Sequence, residues 1–152
     1  MVKSKLRLDR FLPFRLSVAS NAVSRAIARA YEARFGLKVT EWRLIAVLAE
    51  GGLTQQAIVE RTVLDKVSVS RAAQALVDRR LARREPVEGD ARSHLLTLTP
   101  EGQRLHDEVA PLALSMEATM LGGLSRDEVA DLHRLLSRLQ RAAEQLDAEQ
   151  LA

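Results

Sequence analysis

Apolar residues recur every three to four positions over most of this chain, the spacing that gathers them on one face of a helix. Leu12, Leu16, Ala19, Val23, Ala26 and Ala30 form such a stripe, widened by Ile27 and Tyr31, and predict a first helix over about Pro13–Phe35. Gly36 closes it, as a glycine just past a helix end should. A second helix is expected after a Thr40 cap; it carries Trp42, Leu44, Ile45, Val47 and Leu48 and stops at Gly51-Gly52. Thr54 caps a short third helix, Gln55 to about Arg61, that buries Ile58 and Val59. A turn through Thr62-Val63-Leu64 leads to Asp65, the cap of a fourth helix reaching about Arg79 or Arg80. Its inward set is Val69, Ala72, Ala73, Leu76 and Val77.

The helical period then breaks once. Residues 81–98 read as a two-stranded ribbon, with strands at about Leu81–Pro86 and His94–Leu98 and an Asp90-x-Arg92 triplet at the tip. Thr99-Pro100-Glu101 starts the next helix sharply: a cap, a proline at the first helical position and an acid in the first turn. That helix carries Leu105, Val109, Leu112 and Met116 until Gly122-Gly123 interrupts it. Ser125 and Glu128 form a capping box for a last helix with a stripe of Val129, Leu132, Leu135, Leu136, Leu139 and Leu146. The expected fold is mostly α with a small β-wing, and helix, turn, helix and ribbon in this order make a winged helix-turn-helix.

In a helix-turn-helix the crossing positions are small or apolar, and the second helix turns polar residues to the groove. Ile58, Val59, Leu64, Val69 and Ala72 fill the crossing, which leaves Asp65, Lys66, Val67, Ser68, Ser70 and Arg71 near the N-terminal end of the second helix. Lys66 and Arg71 can donate to guanine O6 and N7, Ser68 and Ser70 can pair either way, and Val67 suits a thymine methyl. The Thr54 cap and the first-turn amides from Gln55 onward suit a backbone phosphate. An ordinary helical hairpin with a solvated face would show the same residues without the ribbon.

Charge sharpens this picture. The chain has 152 residues and a formal net charge of only +3, but residues 1–100 hold 18 Lys/Arg against 10 Asp/Glu and residues 101–152 hold 5 against 10. The basic surplus therefore falls on the helix-turn-helix and ribbon, the footprint expected for double-stranded DNA. An apolar fraction of 47% argues against disorder, and 3% aromatics favour a core of Leu, Val and Ala packed between helices. No apolar run is long enough to span a membrane, and residues 1–12 lack the features of a secretory signal. The chain has no cysteine, which fits a reducing cytoplasm and excludes thiol chemistry. His94, His106 and His133 have no metal-ligand spacing, and no nucleophile–base set, P-loop or dinucleotide fingerprint occurs. Neither enzyme activity nor a metal or other cofactor is expected.

Residues 40–102 resemble the MarR family of bacterial transcription regulators. The resemblance is carried by Leu53-Thr54-Gln55-Gln56, Leu64-Asp65-Lys66-Val67-Ser68-Val69-Ser70-Arg71, Asp90-Ala91-Arg92-Ser93 and Leu98-Thr99-Pro100-Glu101-Gly102. It implies one MarR-type domain over 1–152, with a winged lobe at 40–99 and dimerisation helices at 1–35 and 100–152. It further implies a homodimer, most simply a repressor, on a pseudo-palindromic operator with half-sites about one helical turn apart. By the same resemblance Arg92 enters the minor groove, where a narrow A·T-rich stretch attracts an arginine, while Asp90 braces the wing. A local turn salt bridge between Asp90 and Arg92 is the competing account.

Two positions depart from the family pattern. Val63 stands where the turn often has glycine, and Arg80 where glycine commonly ends the recognition helix. A β-branched residue at positive φ is strained, so the turn at Val63 either takes another conformation or carries a cost. The resemblance also implies a small-molecule effector, aromatic or anionic, near the junction of the two regions. Trp42 would be its stacking wall and Arg15 or Arg43 its anchor, unless Trp42 is plain core. Rival functions are an architectural protein that coats DNA with little sequence choice, and an interaction module whose wing binds an acidic partner.

Overall fold

The computed structural model describes residues 5–151; the first four residues of the expected 1–35 segment lie outside them. A 3-10 turn at Leu8–Arg10 precedes α1 (Leu12–Phe35) and α2 (Val39–Leu48). The two-residue strand β1 (Leu53–Thr54) leads into α3 (Gln55–Thr62) and α4 (Lys66–Asp78). Strands β2 (Ala82–Val87) and β3 (Asp90–Leu98) follow, then α5 (Pro100–Leu121) and α6 (Arg126–Leu151). The chain divides into two compact units, one ending at Ala113 and the other beginning at Leu114, with α5 passing from the first into the second.

The first unit is built on a core of Tyr31, Leu37, Leu44, Ile45, Ile58, Val69, Leu76, Leu96 and Val109, all fully buried. Each contributes roughly 1.5–3 kcal/mol relative to an exposed side chain. These residues come from α1 through α5, so one core ties the helix-turn-helix to the base of the ribbon. Most expected caps are present. Gly36 is left-handed at φ 60°, Thr54 accepts from the Ala57 amide at 3.2 Å, and Ser125 and Glu128 exchange bonds of 3.1 and 2.8 Å.

The structure corrects three local expectations. Thr40 does not cap α2, which starts at Val39. The Lys38 N–H donates to Glu41 Oε2 at 3.0 Å, so the glutamate in the first turn reaches back and does the capping. The ribbon is part of a three-stranded antiparallel sheet in the order β1-β3-β2, with Leu53 opposite Leu96 and Thr54 opposite Leu95. The second ribbon strand begins at Asp90 rather than His94, and a bulge between Pro86 and Val87 absorbs the changed register.

Both departures from the family pattern take the left-handed conformation anyway. Val63 has φ 56° and Arg80 φ 58°. At the end of α4 the geometry is a Schellman motif: Arg80 N–H reaches Val77 O at 2.9 Å and Leu81 N–H reaches Leu76 O at 2.8 Å. The turn at Val63 therefore carries its cost instead of avoiding it. A left-handed L-residue costs about 1–2 kcal/mol, whereas glycine gives back part of that gain through unfolded-state entropy. Val63 is 87% exposed, so little apolar burial is at stake. Val63→Gly should raise the unfolding free energy by about 0.5–1 kcal/mol in urea titrations. Destabilisation by the glycine would show that the valine side chain supports the turn in some other way.

Candidate nucleic-acid interface

α4 has two chemically distinct faces. Val69, Ala72, Ala73 and Leu76 are buried, while Lys66, Val67, Ser70 and Arg71 are exposed. The helix starts on Asp65, whose carboxylate accepts from the Ser68 hydroxyl at 2.7 Å and the Ser68 amide at 2.8 Å. Ser68 is thereby drawn into the cap; its hydroxyl proton is already committed, unlike that of Ser70 one turn-face away. Arg71 and Ser68 border a cleft of about 160 Å³ whose other wall is the start of α2, with Lys38 and Thr40.

The Ser68 hydroxyl, and then its amide, hold the Asp65 carboxyl below the usual carboxylate range. A depressed folded-state value means that the cap stabilises α4 fully at neutral pH and loses this contribution as pH falls through that value. The stability gap between the natural protein and Asp65→Asn should therefore shrink on acidification below about pH 4. Equilibrium denaturation of both proteins across this range checks it; a constant gap would show that the charge of the cap is immaterial.

At the wing tip, Asp90 accepts from the Arg92 amide at 3.0 Å and from the Ser93 hydroxyl at 2.8 Å. These bonds, the hydroxyl's first, lower its carboxyl pKa. Asp90 thus bonds the backbone of Arg92 and not its guanidinium, and no ion pair among the described residues engages that guanidinium. The turn itself passes through Gly89 at φ 82°. Thr54, Gln55, Arg92 and Ser93 border a second cleft, of about 270 Å³, between the start of α3 and the wing.

Two further residues border that cleft without having been singled out by their local pattern: Arg84 on β2 and His94 on β3. The signal was the ladder register. Arg84 lies opposite Leu96 and His94 opposite Pro86, which puts both on the sheet face that carries the buried Leu96 and Ala82. That register could not be read before the bulge and the true start of β3 were known.

The residues suggested for an effector are less connected. The Trp42 ring is half-buried, stacked on His106 at 5.5 Å and edge-on to Tyr31 at 5.7 Å. Burial raises the Tyr31 phenol pKa. Arg15 donates to the Asp9 carbonyl at 3.2 Å, and Arg43 is exposed. Among the described residues, no hydrogen bond or ring contact joins Arg15, Trp42 and Arg43 to one another.

Comparison with known proteins agrees with the fold. Residues 35–93 match the model of the MarR family. The chain is 27% identical over 130 residues to the HTH-type transcriptional regulator PecS of Dickeya dadantii, covering 83% of this chain and 78% of that one. The crystal structure of a MarR/EmrR family transcriptional regulator from Acinetobacter sp. ADP1 superposes with a TM-score of 0.85 at 28% identity, over 92% of this chain and 99% of that one. The PcaV transcriptional regulator of Streptomyces coelicolor, solved in complex with its natural ligand, superposes with a TM-score of 0.75 at 26% identity, over 92% and 99%. These relatives are transcription regulators. Its matched helix-and-wing segment is similar to the MarR family, and over nine-tenths of its length the chain has the winged helix-turn-helix fold of such regulators.

Proposed function

We propose that this protein is a cytoplasmic, sequence-specific DNA-binding repressor that acts as a homodimer on a pseudo-palindromic operator. The observation that carries the reading is the pairing, within one unit, of an exposed polar α4 face with a braced wing tip whose arginine is unneutralised. In this reading Lys66, Val67, Ser70 and Arg71 meet major-groove base edges, with Ser68 shaping the helix start. Thr54 and Gln55 stand at the backbone, and Arg92 enters the minor groove.

Dimerisation is supported by apolar side chains that lack cover within their own unit. No residue of α6 is buried, and Leu132, Leu135, Leu136 and Leu139 on one helical face are 41–51% exposed. Near the other terminus Phe11, Leu12 and Phe14 are 41–63% exposed. Apolar faces of this kind are usual where a partner is to be bound. The expected dimerisation segments, 1–35 and 100–152, contain both faces.

A small aromatic or anionic molecule is proposed to release the operator, as PcaV binds a natural ligand. Trp42 is its proposed wall and Arg15 and Arg43 its anchors. Trp42 touches residues of α1 and α5, so a ligand stacked there could bias how these helices are set. A ligand that prefers a half-site spacing the operator does not offer weakens binding by population shift.

Selection of bound fragments from the host's genomic DNA tests the proposal directly. A recurrent inverted-repeat sequence is the expected outcome, with affinity for it far above that for its scrambled version at one salt concentration. A ratio near one would instead make this an architectural DNA-coating protein.

A further inference from the structure

The cleft between the start of α3 and the wing is more basic than a wing tip alone requires. Three basic side chains border it, Arg84 from β2 and Arg92 and His94 from β3. The facing groups, Thr54 on β1 and Gln55 and Gln56 on α3, are uncharged. The carboxylates nearest in sequence are occupied elsewhere. Asp90 accepts from the Arg92 amide and the Ser93 hydroxyl, and Glu85, on the opposite sheet face, pairs with Arg83 at 2.8 Å. Among the described residues, no hydrogen bond or ion pair engages the guanidinium of Arg84 or the imidazole of His94. A cleft of about 270 Å³ bordered by basic side chains without internal partners is suited to an anion.

We infer that this cleft seats two successive phosphates of the duplex backbone, one on Arg84 and one on His94, and that His94 takes up a proton as its phosphate enters. The inference rests on the DNA-binding reading above and adds to it two contacts and a pH dependence. A phosphodiester and a guanidinium keep their charges throughout the physiological range, whereas an imidazole changes charge within it. The seated phosphate favours the imidazolium, so the complex holds more protons than the separate partners. By linkage, affinity then rises as pH falls.

Backbone contacts are independent of sequence, so a mixed-sequence duplex of about 30 base pairs serves as the probe. Each phosphate neutralised steepens the fall of log affinity with log salt by about 0.9. For the natural protein the salt slope should be steeper by about one per wing at pH ~5.5 than at pH ~8.5. His94→Gln should hold the shallower slope at both pH values, and His94→Lys the steeper one at both. Arg84→Gln should be shallower by about one per wing throughout. These positions are exposed, and thermal melting at both pH values checks that each variant is folded. A pH-dependent slope that persists in His94→Gln, or an unchanged slope in Arg84→Gln, overturns the phosphate seat. A natural protein that binds no duplex at either pH, even at low salt, would overturn the DNA-binding reading itself and this inference with it.

Discussion

Replacing Gly102 with alanine should destabilise the protein by about 3 kcal/mol or more. The cause is space and not backbone conformation. A Cβ at this position would lie 2.0 Å from the Leu81 carbonyl oxygen, 3.0 Å from its carbon and 3.2 Å from Leu98 Cδ2. The backbone it meets cannot easily retreat. The Leu81 carbonyl accepts from the Thr99 amide at 3.0 Å, and its own N–H is the closing bond of the α4 Schellman motif. Thr99 completes the junction, its hydroxyl donating to Arg80 O at 2.6 Å and accepting from the Gly102 amide at 3.1 Å. Relief of the clash would have to break the joint between the end of α4 and the start of α5.

Helix propensity alone predicts the opposite sign, since alanine is favoured over glycine by about 1 kcal/mol inside a helix. Gly123→Ala, in the turn between α5 and α6, is the control for adding a methyl without a clash, because a Cβ there meets nothing within 4 Å. Urea denaturation of all three proteins at one protein concentration decides the matter, the concentration being held because dimer formation would shift the midpoint. A Gly102→Ala protein as stable as the natural one would mean that the junction is looser than its bonds imply.

On the functional side, Arg92→Ala should weaken operator binding by about 1–3 kcal/mol per half-site, and by about twice that for a dimer on both. Its backbone is held by Asp90 while its guanidinium has no ion-pair partner among the described residues. In the proposed reading, the side chain therefore enters DNA without first giving up an internal salt bridge. Arg92→Lys should recover part of the loss, by keeping the charge without the planar fork. Asp90→Ala should shift affinity in the same direction by less, because it loosens the brace and leaves the charge. Arg83→Ala is the control for bulk charge: that arginine is on the other sheet face and paired with Glu85. Titrations with the selected operator would read these effects. Equal losses for Arg92→Ala and Arg83→Ala would reduce the wing tip to general electrostatics, and an unchanged Arg92→Ala would remove it from the DNA.

The legible parts of this fold were those set within a few residues. The stripes on α1, α4 and α6 follow from helical spacing, and the caps at Thr54, Asp65, Thr99 and Ser125 follow from short side chains that reach amides three residues on. Thr40 misled because two capping devices compete at α2, and the back-reaching Glu41 outranks a hydroxyl one position away. β1 was invisible because two residues have no period; it is a strand only because β3 lies beside it. Val63 and Arg80 stood out as departures from glycine, yet whether each bends elsewhere or accepts φ near 60° depends on the packing that ends α3 and α4.

The candidate site divides along the same line. Lys66, Val67, Ser70 and Arg71 could be assigned to one exposed helical face from spacing alone, and Asp90 and Arg92 to a tip from their place between two strands. Local spacing did not show that the Ser68 hydroxyl donates to its own helix cap, nor that Arg84 and His94 share the Arg92 cleft.

By itself, then, the sequence determined the helices, their caps, the ribbon and the concentration of positive charge around it, because those depend on neighbours a few bonds away. Only the tertiary structure decided the strand register, the closeness of Gly102 to Leu81 and the company His94 keeps. These depend on which distant backbones meet, and that is set by burying one shared core.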